Sequence, residues 1–324
     1  MPAKYVLITA AYNEEKTITG TIKSVLAQTH RPEKWIIVSD GSTDGTDALI
    51  KGFSRQYGFI QYARQEKRAS DRNRLEKVTI AQARAMAHGI DLMKPVAYEF
   101  MGNLDADTIL TRNFYERIIL QMEADQRIGI AGGGVYSVDT DGKILPGGFI
   151  QPDFVGGPVQ VFSRSCLEEI GGYLEAGHAD CVAVLRAKMK GWKVQCFPDV
   201  QAFQHEMPNN TIRMKVPTCF RMGHMDYLMG GLLTFQLIRS VHRMINPPYF
   251  LAGAAMLMGY FFPLLRREKI RVPKSVVDYL QVDQTEKLVS RLPMGKAVGA
   301  IGALEARYLW NNRSPFSLFM GKPR

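Results

Sequence analysis

The stretch YEFMGNLDADTIL, residues 98–110, carries an apolar run into two carboxylates, Asp105 and Asp107, with Ala106 alone between them. Paired negative charges at the end of a buried segment repel each other unless a cation lies against them. An Asp followed by a Thr at that point is also an ordinary helix-capping pattern. This segment alone leaves both readings open, and the surrounding sequence has to separate them.

Upstream, short β-like runs alternate with amphipathic helical stretches. YVLITA (5–10) precedes Ile18, Ile22, Val25 and Leu26, which share one helical face. WIIVSD (35–40) precedes Leu49, Phe53 and Tyr57, and FIQYA (59–63) precedes the helix-like IAQARAMAHGIDLM (80–93). A further helix is expected around 112–124. Repeated strand–helix alternation predicts an α/β fold, a Rossmann-like, mostly parallel sheet flanked by helices. Ligands of such sheets bind outside the carboxyl ends of the strands. Asp40 and Asp105 both end strand-like runs and are expected in that crevice.

From 135 to about 207 the chain is richer in Gly and Pro, with short strands predicted at VQVFS (159–163) and KVQCFP (193–198) and a helix at 179–192. Beyond 210 two apolar runs, 227–238 and 247–265, are followed by Arg266, Arg267, Lys269, Arg271 and Lys274. The second run is short for a membrane span. An interfacial segment anchored by its basic flank is the reading taken, against a buried helical hairpin or a true span.

In 324 residues, 41 Lys and Arg exceed 31 Asp and Glu, for a formal charge of +10. That excess suits an anionic partner: a nucleic acid, an anionic membrane face or a phosphorylated small molecule. No aromatic–basic interleaving, zinc-finger or helix-turn-helix pattern supports nucleic acid, so none is expected. Cys166, Cys181, Cys196 and Cys219 form no CxxC pair and read as reduced thiols. The N-terminus opens directly into a strand-like run without a signal-peptide pattern, and a cytoplasmic chain is expected.

Two loops after strands hold the remaining chemistry. TAAYNEEKTI (9–18) and SDGSTDGT (39–46) set small and acidic residues where glycine lets a ligand approach the backbone. Neither is a P-loop or a GxGxxG fingerprint. YNEE, VSDGSTDGT and NLDADTIL, in this order after successive strands, resemble the family 2 glycosyltransferases of the GT-A fold. GGPVQVFSRSCLEEIGGY (156–173) and HADCVAVLRAKMKGWKVQCFPDVQAFQHE (178–206) are similar to that family's acceptor-side segment and catalytic helix. The likeness covers roughly residues 4–206 and extends weakly, toward membrane-associated bacterial and archaeal members, to about 290.

The resemblance implies a GT-A catalytic domain over 1–210, with a nucleotide-sugar half at 1–135 and an acceptor half at 136–210. A helical, membrane-associating region would fill 211–324. Ala11, Tyr12, Asn13, Glu14, Asp40, Ser42, Arg72, Asp105 and Ala106 would bind the nucleotide-diphosphate sugar, UDP- or GDP-linked. Asp107 and His205 would hold Mn2+ or Mg2+, and Gly156, Gly157 and His178 would face the acceptor. Asp180 would be the base that takes the acceptor's proton, implying inversion at the anomeric carbon. The family pattern Glu-Asp-x-Asp departs here to Ala179-Asp180-Cys181-Val182. The function implied is transfer to a saccharide acceptor, lipid-linked, by a peripheral or monotopic enzyme at the inner membrane face. A polyprenyl-phosphate sugar synthase, a nucleotidyltransferase, and a non-catalytic or nucleic-acid-binding basic protein remain alternatives.

Overall fold

Tyr5–Ala11 is apolar at almost every position and all but one of its residues are buried. A strand of that composition needs cover on both faces. It forms β1, the centre of a parallel set with β2 (Lys34–Ser39), β3 (Ile60–Arg64) and β4 (Phe100–Leu104). In the computed structural model the described residues are 3–65, 77–138, 144, 151–175, 178–205, 212–245, 247–291, 299, 301–303 and 305–306, with the side chains of 77–79, 205, 212–215 and 291 set aside. The chain divides into two compact units, Met1–Pro208 and Asn209–Arg324.

The first unit, among its described residues, carries an eight-stranded sheet in the order β3-β2-β1-β4-β7-β6-β8-β5. The later strands are β5 (Thr108–Leu110), β6 (Ile128–Val138), β7 (Val159–Ser163) and β8 (Lys193–His205). β7 runs antiparallel to both β4 and β6, and β5 antiparallel to β8. The sheet is therefore parallel on one side and mixed on the other. Alternating side chains divide the core. Tyr5, Leu7, Trp35 and Ile37 pack with Ile18, Ile22 and Val25 of α1 (Ile18–Leu26), Ile50 of α2 (Thr46–Gln56) and Phe114 of α4 (Phe114–Ala124). Val6, Ile8, Ile36 and Val38 pack with Ala83 and Met86 of α3 (Lys77–Met93), Cys166 of α5 (Arg164–Ile170) and Ala183 of α6 (Ala179–Met189).

Two features depart from the sequence expectation. The strand predicted to end at Pro198 continues to His205, because a register shift absorbs Pro198, Asp199 and Val200 between the pairs Gly133↔Phe197 and Gly134↔Gln201. Proline has no N–H to give a ladder and is accommodated at such irregularities. The expectation also left out β6, whose Gly132, Gly133 and Gly134 carry little strand propensity. Those glycines are needed for close approach. A Cβ on Gly132 would overlap the Val159 carbonyl oxygen, and one on Gly133 the Val200 carbonyl oxygen.

In the second unit, the apolar run 227–238 is not one helix. α7 (Ile212–Leu228) ends before Gly230, whose φ of 75° suits glycine, and α8 (Leu233–Met244) begins afresh. α9 (Tyr249–Leu265) and α10 (Lys274–Arg291) follow. α7 and α9 meet through small residues: a Cβ on Gly223 would overlap the Met256 carbonyl oxygen, and one on Gly259 that of Phe220. α9 is thus half core, burying Ala252, Ala255, Met256 and Tyr260, and half surface, exposing Phe250, Leu251, Met258 and Leu265. Among the described residues no helix is long and apolar enough to cross a membrane.

Gly133→Ala should destabilise the first unit by about 2–3 kcal/mol through overpacking in urea unfolding. Gly52→Ala, inside α2 with open space around the new methyl, should instead stabilise it by about 0.5–1 kcal/mol. Equal and small effects would refute the packing account of β6.

Candidate active site

The loops after β1 and β2 are tied to each other. Asn13 adopts φ 56°, a left-handed conformation that asparagine tolerates. Its Oδ1 accepts from Thr43 N at 2.9 Å, and its own N–H donates to Ser42 Oγ at 3.2 Å. Glu14 N donates to Thr46 Oγ1 at 2.8 Å, and Glu15 Oε2 accepts from Gly45 N at 3.0 Å. Asp40 N donates to the Ala11 carbonyl at 2.9 Å, which joins the two strand ends. Asp40 is buried, and Oδ1 accepts from Gln65 Nε2 at 2.7 Å. Tyr12 stands beside these loops with its ring exposed.

The opening carboxylates diverge in their partners. Asp105 Oδ1 accepts from Gln82 Nε2 of α3 at 3.0 Å. Both Asp107 oxygens accept from Gln204 Nε2, each at 3.0 Å. Antiparallel pairing sets Thr108 opposite Gln204, which is how the far end of β8 reaches the acidic pair. The Ala106 carbonyl is taken by Thr21 Oγ1 at 2.8 Å, so the backbone between the two acids is fastened to α1.

Just before β7, Gly157 O accepts from Asn103 Nδ2 at 2.6 Å and Gly156 O from Val159 N at 3.3 Å. A Cβ on Gly157 would stand 2.7 Å from Asp180 Oδ2, so only glycine leaves that carboxylate its place. Asp180 lies in the first turn of α6, where the helix dipole favours a negative charge. Its carbonyl and that of Val155 accept from the buried Gln160 amide, at 3.4 and 3.0 Å, and Gln160 Oε1 accepts from Tyr173 Oη at 2.8 Å. His178 precedes α6 in a left-handed conformation, φ 56°.

Asp105, Gly157, His178 and Asp180 line a single pocket of about 190 Å³ with Gln82, Asn103 and Tyr173. Asn13, Glu14, Asp40 and Ser42 gather in the neighbouring loops. Arg72 lies outside the described residues, as does the side chain of His205, whose backbone ends β8. Gln82, Gln160 and Gln204 escaped sequence reasoning. Gln204 adjoins a residue assigned to the metal, yet successive strand side chains point to opposite faces, so its place beside Asp107 was not readable from that neighbour.

Burial, then the charges of Asp107, Asp180 and Glu14, push the Asp105 carboxyl from 3.8 to about 8, eased by the Gln82 amide. Burial also raises Glu14, with Asp107 and Asp44 adding to it and the Thr17 hydroxyl opposing. The charge of Asp107 beside the buried Asp105 carboxyl is one that a hard divalent cation would neutralise, and both residues offer carboxylate oxygens to it. That is the observation by which the residues fit Mn2+ or Mg2+.

The sheet order, the crevice beyond β1, β2 and β4, and the acidic pair define a GT-A domain. Residues 6–155 match Glycosyl transferase family 2, and that segment belongs to the family. Over 124 residues the chain is 32% identical to the poly-beta-1,6-N-acetyl-D-glucosamine synthase of Staphylococcus aureus (strain COL), covering 38% of this chain and 26% of the relative. The Staphylococcus epidermidis synthase is 29% identical over the same length and shares. The chain thus spans about a quarter of the length of the curated relatives it matches. Among solved structures, the mannosyltransferase PcManGT from Pyrobaculum calidifontis, in complex with GDP-Man and Mn2+, aligns at a TM-score of 0.53 and 14% identity, covering 97% of this chain and 83% of that one. That likeness is one of fold.

Between about pH 4 and 8, folded Asp105 holds a proton that the unfolded chain has released. The folded state then binds more protons, so stability of the metal-free protein falls as pH rises through this window. A cation that replaces the proton offsets the loss. The thermal shift produced by Mn2+ should therefore be larger at pH 8 than at pH 6, and Asp105→Asn should flatten the difference. A wild-type shift independent of pH would contradict the assignment.

Proposed function

We propose that the first unit is an inverting, metal-dependent glycosyltransferase, moving a hexosyl group from a UDP- or GDP-sugar to a saccharide acceptor, lipid-linked, in polysaccharide or glycoconjugate biosynthesis. The observation that carries this is the pocket shared by Asp105, from the donor-side strand, and Asp180, from the acceptor-side helix. Asn13, Glu14, Ser42 and Asp40 supply the nucleotide pocket, with the Asp40 carboxylate offered to the N–H groups of a base. Asp105 and Asp107 would hold Mn2+ or Mg2+, whose charge would neutralise the departing diphosphate.

Asp180 supplies the base. Its carboxylate takes the proton of an acceptor hydroxyl as that oxygen bonds to the anomeric carbon. The bond from that carbon to the diphosphate oxygen breaks, and the nucleoside diphosphate leaves with the electron pair. One displacement inverts the anomeric centre. Gly157 leaves room for the carboxylate, and the buried Gln160–Tyr173 pair fixes the backbone beneath it.

With Mn2+ or Mg2+, the protein should release UDP or GDP from a matching nucleotide-sugar, and Asp107→Ala should abolish both turnover and the metal-dependent thermal shift. Asp180→Asn should lower kcat by about 10²–10⁴-fold with donor binding retained. Full transfer by Asp180→Asn would instead favour a phosphate acceptor, as in a polyprenyl-phosphate sugar synthase, because a phosphate needs little help from a base.

The second unit is proposed to rest on an anionic membrane surface at the cytoplasmic face. Leu237, Val241 and Ile245 stand exposed at 41, 59 and 68%, spaced by four along α8 and its C-terminal cap, while Leu233, Gln236 and Ser240 of the same helix are buried. Phe250 and Leu251 are exposed just beyond, and Arg266, Arg267, Lys269 and Arg271 follow α9. Exposed apolar side chains with basic neighbours suit an anionic interface. Val241→Glu with Ile245→Glu should greatly reduce sedimentation with phosphatidylglycerol vesicles. Unchanged sedimentation would refute the placement.

A further inference from the structure

We propose that His178, Asp180 and Cys181 form a second metal site, selective for a thiophilic divalent cation such as Zn2+, whose occupation switches off the base at Asp180. The site itself rests on geometry; its inhibitory role rests on the function proposed above.

The imidazole nitrogen, carboxylate oxygen and thiol sulfur of these residues lie within 4.8 Å of one another. Among the described residues they are the group of three His, Cys, Asp or Glu side chains that meets this spacing. All three keep partial access to solvent, and His178 and Asp180 line the 190 Å³ pocket through which an ion can enter. The acidic pair at Asp105 and Asp107 offers oxygen alone, the donor set of Mg2+ or Mn2+. Nitrogen, sulfur and oxygen together are the donor set of Zn2+, with three protein ligands and a fourth position left for water.

The sequence around the base supports the separation. Where the family pattern has acidic residues, Ala179 and Val182 are buried packing positions. The polar company of Asp180 within α6 and its entry is therefore His178 and Cys181, on the turn that starts the helix. Binding would form Zn–N, Zn–O and Zn–S bonds and release the thiol proton to solvent. The carboxylate lone pair that would receive the acceptor proton is then committed to the ion. Occupation leaves the nucleotide loops untouched, so donor binding should survive while transfer stops.

The test uses the full chain with Co2+ as a spectroscopic probe and Zn2+ as its competitor. A near-ultraviolet thiolate-to-cobalt charge-transfer band should appear with excess Mg2+ present, and Zn2+ should erase it. Cys181→Ser should lose the band, keep the wild-type thermal midpoint and keep wild-type transfer with Mg2+. Its sensitivity to inhibition by Zn2+ should fall by at least about tenfold, the cost of roughly 1.4 kcal/mol of binding. No band, or a band that persists in Cys181→Ser, would overturn the site. Equal Zn2+ inhibition of wild type and Cys181→Ser would overturn its inhibitory role. Absence of transfer from any nucleotide-sugar would defeat the function proposed above, while the cobalt band would still decide whether the site exists.

Discussion

Repulsion of the Asp105 carboxylate by Asp107, Asp180 and Glu14, where burial already disfavours its charge, is the constraint around which the first unit is organised. Burying like charges together raises the energy of the ionised state, and a carboxyl so placed keeps its proton or finds a cation. Asp105 is where the cost concentrates, with its carboxyl pushed up to about 8. The surrounding structure eases this with neutral amides. Gln82 gives one hydrogen bond to Asp105, and Gln204 bonds both oxygens of Asp107. Amides orient carboxylates without cancelling their charge, which preserves the negative field that a divalent ion requires.

The sheet exists in the form needed to bring those groups together. β1, β2 and β4 run parallel, so the loops bearing Asn13, Asp40 and Asp105 leave the sheet on one edge. β7 then returns antiparallel to β4, pairing Leu104 with Val159, and carries the preceding Gly157 to the same edge. The glycines of β6 admit neighbouring backbone, and the bulge around Pro198 lets β8 continue far enough to set Gln204 beside Asp107. The irregular features of the second half of the sheet thus allow close backbone packing at β6 and a hydrogen-bond partner for Asp107 from β8.

Much of the first half was legible because its physics is local. Ile18, Ile22 and Val25 repeat at helical spacing and are buried, as a one-faced helix demands. Asp40 and Asp105 follow apolar runs, and the rule for parallel sheets assigns both to the crevice. Two aspects were not readable. Gly132–Gly134 carry no side chains to announce a strand; their value appears when Val155, Val159 and Val200 crowd them. Gln82, Gln160 and Gln204 each reach at least one partner 20 or more residues away, and an isolated glutamine has no periodicity to mark it. In α2, sequence spacing emphasised Leu49, Phe53 and Tyr57, whereas Ile50 is the side chain fully enclosed by the sheet.

The acidic cluster is also where the account is most exposed to measurement. If Asp105 carries a proton near neutrality and a divalent ion takes its place, binding of Mn2+ with a nucleoside diphosphate must expel that proton. Calorimetric titration at pH 7 in buffers of different ionisation enthalpy counts the protons released. Release of about one proton per chain beyond that of the nucleotide itself is expected, and its loss in Asp105→Asn. Tight Mn2+ binding with no excess release in the wild type would contradict it.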